Sequence, residues 1–379
     1  MVADGGDART GPRAVPQLCA TRGGTAATRP AIVRPVPRRR RRTVQPWWAD
    51  LPTEELLDVR LCDLRLSLDG TALQRRLDRL AGELQRAGLV FRPYVWLSTD
   101  WFTPEGTTGF AVPFYLAHRR LVRLEHAQMF EAEGSTHDWC MKLLRHEAAH
   151  AMDNAYRLHR RADWRRTFGK YSAPYRSAYH ANPNSKDYVQ NLHSWYAQSH
   201  PAEDYAESFA VWLAPHSRWQ KVYEGWPALK KLHSLDKMLK DVGDLPPPVK
   251  SRDRAESLPG VKTTLREYYR RKKASYGVQE PWRHDRELYL LFDDPGTTTR
   301  DRAATFLRRH RQDLRAKVSA LTGRYRYVVD QALDAMTQRC KELDLRLSRP
   351  PDQARLGAAV LSTMITLALA RGRKPRFRR

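Results

Sequence analysis

The string His146-Glu147-Ala148-Ala149-His150 constrains this chain more than any other stretch. On a helix, residues four apart share a face, so the two imidazoles can close on one zinc ion while Glu147 stands where it can take a proton from water. The surroundings allow that helix. Residues 139 to 156 contain neither Gly nor Pro and are built from helix formers. The motif therefore predicts a long helix with a metal-binding face suited to hydrolysis.

A zinc ion that does chemistry keeps three protein ligands and one open position. Asp153 and Tyr156 occupy the third and sixth places after His150, so the continuation Gly-x-x-His of a metzincin is absent. The next candidate lies at residues 200 to 213, where Pro201 suits a first helical turn and Tyr205, Phe209, Trp212 and Leu213 form an apolar stripe. Glu203 and Glu207 are four apart on this second helix, so one can bind zinc while the other orients a ligating histidine from behind. His159, His180 and His193, in or near the loop-rich stretch 169 to 193, are alternative third ligands.

These residues resemble metallopeptidases of the gluzincin type, in which a second helix supplies a glutamate ligand. The likeness is to the catalytic domain of anthrax lethal factor and to a group of bacterial proteins described as zinc-binding metallopeptidases. The lethal factor pattern has a glutamate ligand, two aromatics and Ala-Glu-Ala-Phe; here stand Glu203, Asp204-Tyr205 and Ala206-Glu207-Ser208-Phe209, with Asp204 in place of the first aromatic. Tyr196 matches its catalytic tyrosine, seven residues before the ligand. Resemblance to the bacterial group runs from about Trp47 to Lys231 and includes residues 114 to 118 and 195 to 201. It implies Zn2+ held by His146, His150 and Glu203, with Glu147 as general base and Tyr196 as a hydrogen-bond donor to the oxyanion. Glu207 or Asp153 would fix an imidazole tautomer, and the reaction would be peptide-bond hydrolysis.

The formal charge of +25 points to nucleic acid until it is divided along the chain. Residues 1–46 hold ten Arg against two Asp, and residues 251–379 hold 30 Lys and Arg against 15 Asp and Glu, which leaves 27 against 25 in residues 47–250. The excess lies in the flanks, so the central region carries no bias toward acidic or basic substrates. The same flanks support a competing reading, a non-catalytic zinc scaffold that engages nucleic acid or an acidic partner. Glu147 argues for the enzyme, because a structural zinc usually takes four protein ligands and needs no base.

The expected fold class is α+β: a zincin-like metallopeptidase domain at 47–244, with a small sheet and active-site helices, followed by a mainly helical C-terminal region. Residues 1–46, rich in Arg, Pro and Gly, read as a disordered basic tail, residues 245–260 as a Pro-rich linker and residues 261–379 as a basic helical region. A helix is expected over 71–87 and strands over 90–98, 109–118 and 121–124; 301–321, 325–347 and 353–370 read as three helices. Pro113 marks its strand as an edge, which could take an extended peptide by strand addition. Four cysteines without metal or disulfide spacing, and no apolar leader near the start, point to a cytoplasmic protein. Residues 356–370 are apolar but span only about 22 Å as a helix, too short for a bilayer, and read as a buried helix rather than a membrane span.

Overall fold

The computed structural model describes residues 45–175, 181–276, 284–296 and 300–370. Of the two units into which the chain divides, Met1–Gln45 and Pro46–Arg379, the second carries every element below; the basic stretch up to residue 44 and His180 lie outside the described residues.

Helix α1 (Ala72–Arg86) starts where Thr71 Oγ1 accepts a hydrogen bond from the Gln74 backbone at 3.0 Å, and it buries Leu73, Leu80 and Leu84 as their helical spacing requires. Strands β1 (Tyr94–Ser98) and β2 (Gly109–Pro113) pair in parallel, Tyr94 opposite Gly109 and Ser98 opposite Pro113. A Cβ at position 109 would strike the Tyr94 carbonyl and ring, so only glycine allows this approach. After Pro113 the chain turns into a 3-10 segment, Phe114–Ala117, and both strands are shorter than expected.

The strand expected at 121–124 is instead part of helix α2 (Arg119–Met129), which buries Leu121, Leu124 and Met129. A four-residue apolar run cannot distinguish the two periodicities. His118 decides it: its Nδ1 accepts from the Arg120 backbone at 3.2 Å and caps a helix there.

Helix α3 (His137–Tyr156) is capped by Thr136 and ended by Arg157 in the left-handed region at φ 53°. From Cys140 to Ala155 it is buried on almost every side, so it runs through the core rather than along it. Helix α4 (Pro201–Leu213) packs against α3, and α5 (Pro227–Val242) packs behind α4. The outer edge of β2 is not open at its centre. Ala111 donates its backbone N–H to Phe102 O at 2.8 Å, so the chain's own 99–108 turn occupies the edge assigned above to an extended peptide.

Residues 245–260 do not hang free as a linker. Val249 donates to Ala155 O at 3.1 Å, and Tyr94 Oη, Trp96 Nε1 and Ser98 Oγ donate to the carbonyls of Asp253, Ala255 and Glu256 at 2.6, 2.9 and 2.7 Å. Leu258, then Leu265 and Tyr269 of helix α6 (Leu265–Tyr276), join the same core as α1 to α4, so that core extends well past residue 244. A separate core gathers β3 (Phe292–Asp293), α7 (Ala303–Thr322), α8 (Arg326–Glu342), β4 (Arg346–Leu347) and α9 (Pro351–Ala370), with β3 antiparallel to β4. Helix α8 stops short of the expected 347 because residues 346–347 pair with β3. The fold is mostly helical with small sheets, consistent with α+β. Among the described residues no helix is long and apolar enough to cross a membrane.

A buried ion pair ties α1 to the zinc-motif helix. Arg145 donates through Nε and Nη2 to the two oxygens of Glu83 at 2.8 and 3.0 Å, one residue before His146. Glu83→Ala should therefore cost about 3–5 kcal/mol in urea unfolding, because it strands a buried guanidinium. The double variant Glu83→Leu/Arg145→Met should recover most of that loss. Equal destabilisation of the two would show that the pair's charges are not what the site needs.

Candidate metal centre

Helix α3 directs His146 and His150 toward Glu203, one turn into α4. His146 Nε2 lies 3.1 Å from Glu203 Oε2, His150 Nε2 lies 3.3 Å from the same oxygen, and the two imidazole nitrogens are 3.2 Å apart. Ligands bound to zinc at 2.0–2.2 Å in a tetrahedron stand about 3.4 Å from one another, so this near-equilateral triangle has the dimensions of three zinc ligands. The donor set, two imidazoles and one carboxylate, suits zinc better than a hard cation. Among the described residues it is the group able to hold a metal ion.

Glu207, one turn further along α4, is fully buried, and its Oε1 lies 2.9 Å from His146 Nδ1. A carboxylate can only accept, so Nδ1 carries a proton, which leaves Nε2 as the ring atom that could offer a lone pair to a metal. Asn191 Nδ2 donates to Oε1 at 2.9 Å and the Leu192 backbone to Oε2 at 2.7 Å, which leaves the carboxylate no freedom to turn. Asp153 does not share this duty. It accepts from the backbone and ring of His159 at 2.7 and 3.0 Å, because the left-handed turn at Arg157 folds the chain back over the end of α3. That bond also accounts for His159, and His193 is exposed and outside the triangle; neither serves as third ligand.

Two residues that the sequence did not single out hold the carboxylates in place. Tyr175 donates its hydroxyl to Glu203 Oε1 at 2.7 Å, so Oε2 alone faces the histidines. Its ring stacks on His200 at 3.8 Å and 10°. His200 is fixed in turn: Nδ1 accepts from Ala202 N at 3.1 Å and Nε2 donates to Ala173 O at 2.7 Å. Thr103 donates to Glu147 Oε2 at 2.8 Å from the turn between β1 and β2. Asp204, in the position of the missing aromatic, is buried and bonded to Lys231 of α5 at 2.6 Å.

Tyr196 lies in the 3-10 segment His193–Gln198, its ring 5.7 Å from that of His146. Trp195 before it adopts φ 52°, a left-handed conformation that costs a bulky residue on the order of 1–3 kcal/mol and sets the direction in which Tyr196 leaves the backbone. Burial, reinforced by the charge of Glu203, holds the Tyr196 hydroxyl well above the ordinary phenol range, so it stays a donor. Burial also raises the pKa of Glu147, partly countered by the two imidazoles. For His146 burial works to lower the pKa, yet Glu203 and Glu207 outweigh it and hold the ring well above the ordinary histidine value. Glu203 is the converse: burial works to raise its pKa, and His150 and His146 bring it well below the carboxylate range.

Residues 140–222 match the model of a family described as "Putative zinc-binding metallo-peptidase". The match takes in His146, Glu147, His150, Tyr196, Glu203 and Glu207 together. Zinc binding is part of that description, and this chain carries a His-His-Glu set able to take the ion. Neither the curated proteins nor the solved structures returned a match.

Removing the acceptor behind His146 should be felt at the metal: Glu207→Ala is expected to weaken zinc binding about 10- to 100-fold in a chelator competition titration. A change below twofold would mean that the tautomer is set by something else. Zinc must also displace the proton that the carboxylates favour on His146. Because that pKa is raised, the proton competes throughout the neutral range, and apparent zinc affinity should climb by up to about tenfold per pH unit between pH 6 and 8. A flat profile over that interval would contradict the raised value.

Proposed function

We propose that the chain is a zinc-dependent metallopeptidase with a zincin-like catalytic core of the gluzincin type. The reading is carried by one observation: a buried carboxylate outside the ligand set, Glu147, is held by Thr103 beside a complete His-His-Glu triangle. A zinc that served only to brace the fold would have no use for it.

His146, His150 and Glu203 would hold the ion, which when bound supplies a Lewis acid for the scissile carbonyl and for water. Glu147 accepts the proton of the attacking water and returns it to the leaving amine, and its raised pKa brings it nearer the pH at which both transfers are efficient. Thr103 fixes which Glu147 oxygen is free for that work by engaging the other. Tyr196, protonated at neutral pH, donates to the oxyanion that develops as the carbonyl is attacked. Glu207 keeps His146 in the tautomer that leaves Nε2 unprotonated. The substrate is a peptide or protein, and scattered cysteines favour a cytoplasmic setting.

Purified protein should carry about one zinc per chain, lost in His146→Ala and kept in Glu147→Gln. Against a diverse peptide library, Glu147→Gln should abolish turnover, while Tyr196→Phe should lower kcat by roughly 10- to 1000-fold with zinc content unchanged. Cleavage surviving intact in Glu147→Gln would remove the peptidase reading. If neither variant changes anything and neutralising the basic flanks abolishes a salt-dependent association instead, the protein is a scaffold.

A further inference from the structure

Helix α9 departs from the pattern of an ordinary surface helix. Its inner face, with Ala354, Ala358, Leu361 and Ile365, is buried against α7 and α8. Its outer face is apolar as well: Leu356 is 70% exposed, Val360 54%, Met364 55% and Leu367 39%. No charged residue occurs anywhere from 356 to 368, about three and a half turns, in a chain of which 29% is charged. A helix apolar on both faces needs cover on both. The turn that packs on α9 at Gly357, where a Cβ would strike Leu291, adds exposed Tyr289 and Leu290.

Charge selects the occupant. Residues 300–379 hold 20 Lys and Arg against 7 Asp and Glu, a net of +13, and six of the nine residues that follow α9 are basic with none acidic. A second copy would bring two such regions together against their mutual repulsion. Nucleic acid suits the charge and has no use for an aliphatic stripe. An anionic bilayer surface suits both, because aliphatic side chains enter the acyl boundary while arginines and lysines remain among the headgroups.

We propose that α9 is an interfacial helix that docks this protein onto an anionic lipid surface through Leu356, Val360, Met364 and Leu367, the net positive charge of residues 300–379 supplying the long-range attraction. The helix lies in the plane of the surface. The stripe is short, and each basic residue near an anionic surface multiplies binding only about fivefold, so the apolar and the charged contributions are both needed.

The test is sedimentation of the full chain with vesicles of phosphatidylcholine alone or with about 30% phosphatidylserine. Binding to the anionic vesicles should exceed binding to neutral ones by at least about tenfold and weaken as salt is raised. V360E/M364E should cut partitioning about tenfold or more, and so should R371Q/R373Q/K374Q. The first pair alters exposed side chains, so its melting temperature should match that of the wild type; if it does not, L356E, at the most exposed position of the stripe, replaces it. Partitioning of the stripe variant equal to wild type overturns the proposal, as does failure of the wild type to bind either vesicle. Sedimentation equilibrium showing a dimer that V360E/M364E dissolves, without vesicle binding, assigns the face to a second copy and overturns it equally.

Discussion

A carboxylate that water cannot reach governs the centre of this molecule. Glu207 is fully buried, and it is tolerable there because His146, Asn191 and the Leu192 backbone all donate to it. Those donors belong to the zinc-motif helix and to the turn leading toward α4, so a single carboxyl group holds three chain segments in register. Sliding α4 by even one residue would leave its buried oxygens without donors. Glu203, one turn earlier on the same helix, inherits that precision, and Tyr175 removes its last freedom by engaging the oxygen that does not face the histidines.

The segment matched by the family model, residues 140–222, holds the histidines, the two glutamates and Tyr196, yet the arrangement draws on residues outside it. Thr103 reaches Glu147 from the turn after β1, and Glu83 anchors Arg145 from α1. Residues before the matched segment therefore hold the Glu147 carboxylate and brace the helix that bears it. In physical terms the two motif helices bring the histidines and carboxylates together, and the earlier part of the chain determines which Glu147 oxygen is engaged.

How much of this could be read from the sequence depended on the separation of the partners. His146, Glu147 and His150 are legible because helical periodicity alone places them on one face, and Glu203 and Glu207 follow from the same rule on a second helix. Thr103 and Tyr175 were not, since each meets its carboxylate across 44 and 28 residues through a loop whose path no local pattern encodes. Asp153 sat at a plausible helical offset, but the reversal at Arg157 gave it a nearer partner in His159. The run at 121–124 was too short for its period to be measured, and a histidine cap outside the run settled it. Prolines at 246–248 suggested a spacer, whereas backbone carbonyls a few residues on, at 253, 255 and 256, bind the side chains of β1.

That last contact is lopsided in a way that bears on how the protein can change over time. Tyr94, Trp96 and Ser98 contribute side chains, while Asp253, Ala255 and Glu256 contribute only the oxygens that every amino acid possesses. Substitutions at 253 and 255 leave the acceptors intact, and at 256 the left-handed φ of 49° favours residues such as Gly or Asn over what stands there now. The strand has no such latitude. Drift should accumulate on one side of this seam and be purged from the other, so that in a lineage of such proteins the covering stretch would diverge in composition while its path across β1 persists.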